Sequence, residues 1–97
     1  MRYDIVLAPE ALDDLRKLAA HDRAKVRDAL EAHLRYLPAK LSKSRIKRLR
    51  GLRRPHYRLR VENVRIFYDV SGGVVEVLAI VSKQAASAWL AAAGELE

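Results

Sequence analysis

The sequence contains no cysteine, and its proline, glycine and aromatic residues are few. Without thiols the chain can form neither a disulfide nor a thiolate metal site, and their absence suits a reducing compartment. Hydrophobic residues nevertheless make up 51% of the 97 residues, an ordinary share for a globular protein. The composition therefore favours a folded chain over a disordered one.

Long apolar runs are also missing. No run approaches the ~20 residues that a membrane-spanning helix requires, and acidic residues follow the short apolar stretch near Met1, unlike the layout of a signal peptide. We therefore expect a cytoplasmic protein. Residues 1–97 are predicted to form a single domain, which at this size leaves little room for a deep, enclosed active site.

Negative charge is absent from the middle of the chain, between Glu31 and Glu62. The net charge is +7 and the sequence pI is near 10.1. A block of one sign and this length favours a polyanionic partner over a merely solvated basic face. Its cations are Arg35, Lys40, Lys43, Arg45, Lys47, Arg48, Arg50, Arg53, Arg54, Arg58 and Arg60.

The amino-terminal part of the chain predicts a strand and a helical hairpin. A short strand over residues 3–7 precedes Pro9, which suits the first turn of a helix. A second helix is predicted from about Asp22 to Leu37, where Pro38 ends it. Residues 39–55 are predicted to be a basic, irregular loop with a short strand or turn that places Ile46, Leu49 and Leu52 under the edge of the core. The predicted apolar face of the second helix consists of Val26, Leu30, His33, Leu34 and Leu37.

The apolar residues change to a period of two after His56, which predicts three strands followed by a helix over residues 83–93. Turns are expected at Glu62-Asn63 and at Ser71-Gly72-Gly73. The strand over residues 74–81 is apolar at nearly every position, so we expect it to be central. The order β-α-α-β-β-β-α predicts an α+β fold: an antiparallel meander of about four strands packed against the helical hairpin, with a short C-terminal helix.

Three arginines of the predicted strand pair share one face if Glu62-Asn63 forms the turn. Arg60 then pairs with Arg65, and Arg58 pairs with Phe67, on the face away from the core. Like charges across a sheet are destabilising alone, but forked guanidinium donors match a phosphate. Two alternatives remain open. A loop of different length would turn one strand over, or internal carboxylates such as Asp69 and Glu76 would neutralise the arginines.

The stretch KRLRGLRRPHYRLRVENVRIFYDV followed by VVEVLAIVSK resembles the RelE/ParE superfamily, the toxins of bacterial type II toxin–antitoxin modules. The resemblance follows the element order of the whole chain and is most specific over residues 47–83. It implies a toxin held inactive by a cognate acidic, RelB-like antitoxin. It also implies a toxin–antitoxin hetero-oligomer that binds operator DNA through the antitoxin, with no membrane partner.

RelE-like members enter the ribosomal A site and cut mRNA by attack of a ribose 2′-OH on the adjacent phosphate. The resemblance thus implies a ribosome-dependent mRNA interferase that needs no cofactor and no metal. It assigns catalytic roles to Arg58, Arg60 and Arg65, and Lys83 is our candidate for a fourth. The predicted nucleic-acid-binding residues are Lys43, Arg45, Lys47, Arg48, Arg50, Arg53, Arg54, His56 and Gln84.

The sequence departs from the family in its proton-transfer residues. Arginine, with a pKa above ~12, is a poor proton acceptor, and Gln84 and Leu90 stand where active members carry an arginine and a tyrosine. His56, Tyr57 and Lys83 are possible substitutes. Two other functions therefore stay open: a ParE-like inhibitor of DNA gyrase, which needs no proton transfer, and a non-catalytic nucleic-acid-binding module.

Overall fold

A computed structural model describes all residues from 1 to 97. Three helices and seven strands follow one another along the chain, and a 3-10 turn, Lys83–Ala85, precedes the last helix. In chain order the elements are β1 (Asp4–Leu7), α1 (Pro9–Lys17), α2 (Ala20–Leu34), β2 (Ile46–Arg48), β3 (Leu52–Arg54), β4 (Tyr57–Val61), β5 (Val64–Ser71), β6 (Val74–Ser82), α3 (Ala86–Ala93) and β7 (Glu95–Leu96).

The main sheet has five strands in the order β1-β6-β5-β4-β2. β4, β5 and β6 form the predicted antiparallel meander, and β6 is an interior strand as expected. The α+β class is confirmed, but the sheet is mixed because β1 runs parallel to β6. β1 and β2 are the two edge strands of the sheet, and the helical hairpin connects them. β1 therefore lies beside β6, the last long strand of the chain. A period of two does not reveal this direction of pairing.

The core lies between the helical hairpin and one face of the sheet. Ala11 and Leu15 of α1 and Val26, Leu30 and Leu34 of α2 are buried there. They pack with the inward side chains of the central strands, which are Leu59, Ile66, Tyr68, Val75, Val77 and Ile80. The apolar face predicted for the second helix is therefore the buried face at Val26, Leu30 and Leu34.

The predicted end of the second helix is wrong. α2 ends at Leu34, and Leu37 is 58% exposed rather than buried. Helical dihedrals are disfavoured at the residue before a proline, here Leu37. In addition, the Tyr68 hydroxyl donates a 2.6 Å hydrogen bond to the Pro38 carbonyl, which holds the chain away from a helical path. Burial raises the pKa of Tyr68, so its hydroxyl keeps the proton that it donates.

The segment predicted to be irregular contains two short strands. β2 adds to the free side of β4 and buries Ile46, while β3 pairs with β7 in a separate two-stranded sheet. An exposed ion pair of 2.7 Å between Arg53 and Glu95 joins the same two strands. The sequence predicts one short strand or turn here, with Ile46 at the edge of the core, and β2 agrees with that prediction. Strands of two or three residues carry no readable periodicity, so the pairing of β3 with β7 was not predicted.

The last helix lies on the face of the sheet opposite the helical hairpin. Trp89 of α3 stacks on Phe67 of β5, with ring centroids 4.9 Å apart and an angle of 9° between the planes. The cross-strand partner of Phe67 is Ala79, whose small side chain leaves room for this stack. Trp89 thus packs on the sheet. None of the helices is long and apolar enough to span a membrane.

Candidate nucleic-acid interface

The β4–β5 hairpin has the predicted register. Val61 pairs with Val64 and Arg60 pairs with Arg65, and the positive φ that a tight turn requires falls on Glu62, at 52°. Arg58 lies opposite Phe67. Because strand faces alternate, Arg58, Arg60 and Arg65 share the face away from the core.

A lysine of the edge strand joins these arginines. Lys47 of β2 is the cross-strand partner of Arg58, so it lies on the same face. We call the surface formed by Lys47, Arg58, Arg60 and Arg65 the arginine face. Lys47 was among the predicted nucleic-acid-binding residues, but its position beside Arg58 could not be predicted. The register of a strand of three residues is not visible in the sequence.

None of the three arginines of this face forms an ion pair with a carboxylate. Arg65 is only 6% exposed and donates through Nη1 to the carbonyls of Glu62 (2.7 Å) and Val64 (3.1 Å). The Nε and Nη2 atoms of Arg58 are buried and have no hydrogen-bond partner. The arginine face therefore carries donors that the protein itself leaves unused.

The electrostatics of the face follow from this arrangement. Burial lowers the pKa of Arg58, and the charges of Arg65 and Arg60 lower it further. Burial and the charge of Arg60 also lower the pKa of Arg65. A buried donor without a partner costs about 1–3 kcal/mol, and more when it is charged. An anion bound on this face would accept from these donors and offset their mutual repulsion.

Asp69 and Glu76, the carboxylates of the alternative in which the arginines are neutralised internally, bind Arg54 instead. Arg54 of β3 reaches Asp69 with Nε at 2.9 Å and also pairs with Glu76. The backbone N–H of His56 donates to Asp69 at 2.7 Å, and its ring Nδ1 lies 3.4 Å from the same carboxylate. We call Arg54, His56, Asp69 and Glu76 the carboxylate end of the sheet face. Internal neutralisation of the hairpin arginines by Asp69 or Glu76 is therefore wrong.

Two candidates for proton transfer make other contacts within the protein. Tyr57 faces the core, where its ring stacks on Tyr68 with centroids 5.5 Å apart, so it is on the wrong side of the sheet. His56 is held by Asp69. Lys83 is exposed, and its backbone N–H donates at 2.7 Å to the carbonyl of Asn63, which fixes it beside the hairpin turn.

The other predicted nucleic-acid-binding residues spread over more than one surface. Lys43, Arg50 and Gln84 are exposed. Arg48 lies 5.4 Å from the centroid of the Tyr57 ring, and Arg53 is paired with Glu95. Arg45 lines a cavity on the helical side of the sheet rather than the arginine face. The structure thus gathers only Lys47 and the three hairpin arginines into one cluster.

This fold and this basic hairpin define a toxin of the RelE/ParE superfamily. Residues 5–86 match the family described as the ParE toxin of the type II toxin–antitoxin system parDE, so the chain belongs to that family. Among curated proteins, none has a significant match to the chain.

Solved structures of RelE proteins share the fold. A double arginine-to-alanine mutant of Escherichia coli toxin RelE in the free state is 24% identical, with a TM-score of 0.71 and 92% of each chain covered. The RelBE2 toxin–antitoxin complex of Mycobacterium tuberculosis matches with 22% identity and a TM-score of 0.70, over 84% of this chain and 99% of that one. The archaeal RelE–RelB complex of Pyrococcus horikoshii OT3 matches with 24% identity and a TM-score of 0.64, over 86% and 97%.

Proposed function

We propose that the chain is a cytoplasmic, ribosome-dependent mRNA endonuclease, formed by a single toxin domain over residues 1–97. The observation that supports this most is the pair of buried, unpartnered nitrogen atoms of Arg58, beside the unpaired guanidinium groups of Arg60 and Arg65. Guanidinium groups bind phosphate through forked, charge-assisted hydrogen bonds. Both nitrogen atoms are covered, so the Arg58 side chain would turn outward to gain the acceptors that it lacks from a phosphate on the arginine face.

The proposed reaction is attack of a ribose 2′-OH on the adjacent phosphate, with departure of the 5′-oxygen of the next nucleotide. Negative charge grows on the phosphoryl oxygens in the transition state, and preorganised donors at that position stabilise it. Arg58, Arg60 and Arg65 would supply this stabilisation without a metal or a cofactor. Lys83, beside the hairpin turn, is the proposed proton-transfer residue. The exposed cations Lys43, Arg48 and Arg50 would hold mRNA and ribosomal RNA.

A cognate antitoxin is the second part of the proposal. The similar RelE chains of M. tuberculosis and P. horikoshii were solved as complexes with RelB. We infer an acidic, RelB-like partner for this chain, because its net charge of +7 favours an acidic protein. The resulting hetero-oligomer would bind operator DNA through the antitoxin.

Inhibition of DNA gyrase is the second candidate function. The family match to the ParE toxin favours it. The positions of two proton-transfer candidates also favour it, because Tyr57 faces the core and the His56 ring contacts Asp69. A gyrase inhibitor needs a complementary surface and no acid–base pair. A module that only binds nucleic acid is the third candidate.

Induction of the chain in bacteria separates these functions. The readouts are growth, the rate of translation, mRNA 5′ ends at ribosomes and plasmid supercoiling. Rapid loss of translation with new mRNA ends in the A site supports the endonuclease. Altered supercoiling and an SOS response with intact mRNA indicate gyrase as the target, and normal growth leaves only the binding module.

A further inference from the structure

A cavity of about 230 Å³ lies behind the edge strand β2, on the helical side of the sheet. The carboxyl-terminal half of α2, the loop that follows it and the start of β2 form its walls. Its floor is Ile46, a buried core residue. Small-molecule pockets begin near about 300 Å³, so this volume suits an inserted side chain better than a ligand of drug size.

Large apolar side chains surround this cavity and remain in solvent. Leu37 and Leu41, which line it, are 58% and 56% exposed, and the neighbouring Tyr36 is 61% exposed. Single exposed leucines are ordinary, but a cluster at the mouth of a cavity marks an interaction surface. The three residues lie in or directly before the loop that the sequence predicted to be irregular, where no element of the chain covers them.

The polar part of the rim is positively charged. Lys40, Arg45 and His33 line the cavity, and neither Lys40 nor Arg45 forms an ion pair with a carboxylate. The nearby Glu31 is engaged by Arg35. The complement of an apolar cavity with an unpaired cationic rim is an aliphatic anchor flanked by carboxylates.

Aliphatic walls favour a protein over a nucleic acid. Proteins that bind unpaired bases stack them on aromatic rings or guanidinium planes. Tyr36 lies beside the mouth of the cavity, and His33 and Arg45 lie on its rim. The walls and floor are instead Leu37, Leu41 and Ile46, which are aliphatic and cannot stack. Apolar anchors that fill a pocket, with a charged rim around it, are typical of protein interfaces.

We propose that this cavity is the docking site for an acidic segment of the antitoxin, which inserts one aliphatic side chain and places carboxylates against Lys40 and Arg45. The inference rests on the proposed toxin–antitoxin function. Ile46 points to the core while its neighbour Lys47 lies on the arginine face, so the cavity and the arginine face are on opposite sides of the sheet. Docking here can be lost without loss of the toxic activity.

The absence of cysteine allows a direct test. A single cysteine can carry an environment-sensitive fluorophore in the full-length protein. We place it at Ser44→Cys, in the loop beside the cavity, or at Ser87→Cys, an exposed position of α3. Overlapping synthetic peptides that tile the antitoxin encoded beside this gene are then titrated. We expect one acidic peptide to change the Ser44→Cys signal and to leave the Ser87→Cys signal unchanged.

Cavity variants and a charge-matched control complete the test. Leu41→Glu and Lys40→Glu should each lower the affinity for that peptide about tenfold or more. Lys17→Glu, at an exposed position of α1, should leave the affinity unchanged. Both cavity positions are exposed loop residues, so folding should persist, and circular dichroism checks it. Unchanged affinity in both cavity variants, a response at Ser87→Cys alone, or no peptide binding overturns the proposal. So does a Ser44→Cys response only to a short RNA or to added unlabelled toxin.

The same variants distinguish this proposal from the proposed function. In bacteria, Leu41→Glu and Lys40→Glu should arrest growth like the wild type but resist rescue by the antitoxin. Full rescue of both variants overturns the docking site and leaves the toxin activity intact. If the wild type itself fails to arrest growth, the proposed function is wrong, and the peptide titration still decides whether the cavity binds an acidic segment.

Discussion

Arginines at the two ends of one sheet face differ in whether a carboxylate is bound to them. At the carboxylate end, Arg54 is held by Asp69 and Glu76. On the arginine face, Arg58 has two buried nitrogen atoms with no partner. The stack of Phe67 and Trp89 lies on the same face of the sheet. The same residue type is thus paired with carboxylates at one end and left without a carboxylate partner at the other.

The energies of the two ends differ in sign. A partly exposed ion pair such as that of Arg54 contributes about 0–1 kcal/mol to stability. Removal of an unpaired, partly buried guanidinium relieves a penalty instead of losing a contact. The arginine face is therefore a feature that folding alone does not explain. Its presence agrees with the proposed role in binding, which the following predictions test.

The largest expected effect is on toxicity. Arg58→Ala combined with Arg65→Ala should abolish growth arrest, because loss of each donor to a phosphoryl transition state costs about 10²–10³ in rate. The charge-matched control at the other end, Arg53→Ala with Arg54→Ala, should arrest growth nearly as the wild type does. Growth curves after induction give the comparison, with circular dichroism to confirm folding.

Normal arrest by the folded arginine-face variant would show that this surface is not the site. Arg65 also bonds two backbone carbonyls, so the double variant has a structural risk. If it does not fold, Arg60→Ala decides the matter, because Arg60 is exposed and can be removed without disturbing the core.

The second effect is on stability and has opposite signs at the two ends. Arg58→Met should raise the free energy of unfolding by about 1–3 kcal/mol, because it removes a charged donor without a partner and keeps the apolar stem. Arg54→Met should lower it by about 1 kcal/mol or less, because it frees Asp69 and Glu76. Urea denaturation of both variants measures the difference. Equal losses in the two would mean that Arg58 is satisfied within the protein.

The third effect concerns the salt dependence of RNA binding. Each neutralised phosphate of a single strand contributes about −0.7 to the slope of log affinity against log salt. Arg60→Gln should make this slope shallower by about one such contact, whereas Arg54→Gln should leave it unchanged because Arg54 is already paired. Fluorescence anisotropy with a short RNA at several salt concentrations measures both. A shallower slope for Arg54→Gln alone would place the RNA at the carboxylate end.

The hairpin and its faces could be predicted from the sequence because they depend on local signals. Strict alternation from Tyr57 to Val70 and a two-residue turn fix the register, and one residue of slip would bury arginines in the core. The apolar face of α2 that contains Val26 and Leu30 likewise identified the core side. These signals need no knowledge of distant contacts.

The remaining features depend on contacts between distant segments. β2 and β3 are three residues long, so neither Lys47 beside Arg58 nor Arg54 beside Asp69 is visible in the pattern. The parallel pairing of β1 with β6 depends on where the helical hairpin delivers the chain. Arg54 is the partner of both carboxylates because β3 passes beside them. The residue pattern around Arg54 does not show this path.

The smallest expected effect is a pH dependence at the turn of the arginine hairpin. Glu62 contacts Lys25 of α2 at 2.6 Å, and this hydrogen bond and charge hold the pKa of Glu62 below its usual 4.5. A carboxyl with a depressed pKa stabilises the fold above its unfolded value and loses that contribution as the pH falls through the folded value. The melting temperature should therefore fall with acidification below about pH 4.5 less steeply in Glu62→Gln than in the wild type. Melting curves at several pH values measure this, with exposed Glu10→Gln as the control. Identical slopes in Glu62→Gln and the wild type would mean that the hairpin turn gains nothing from its contact with α2.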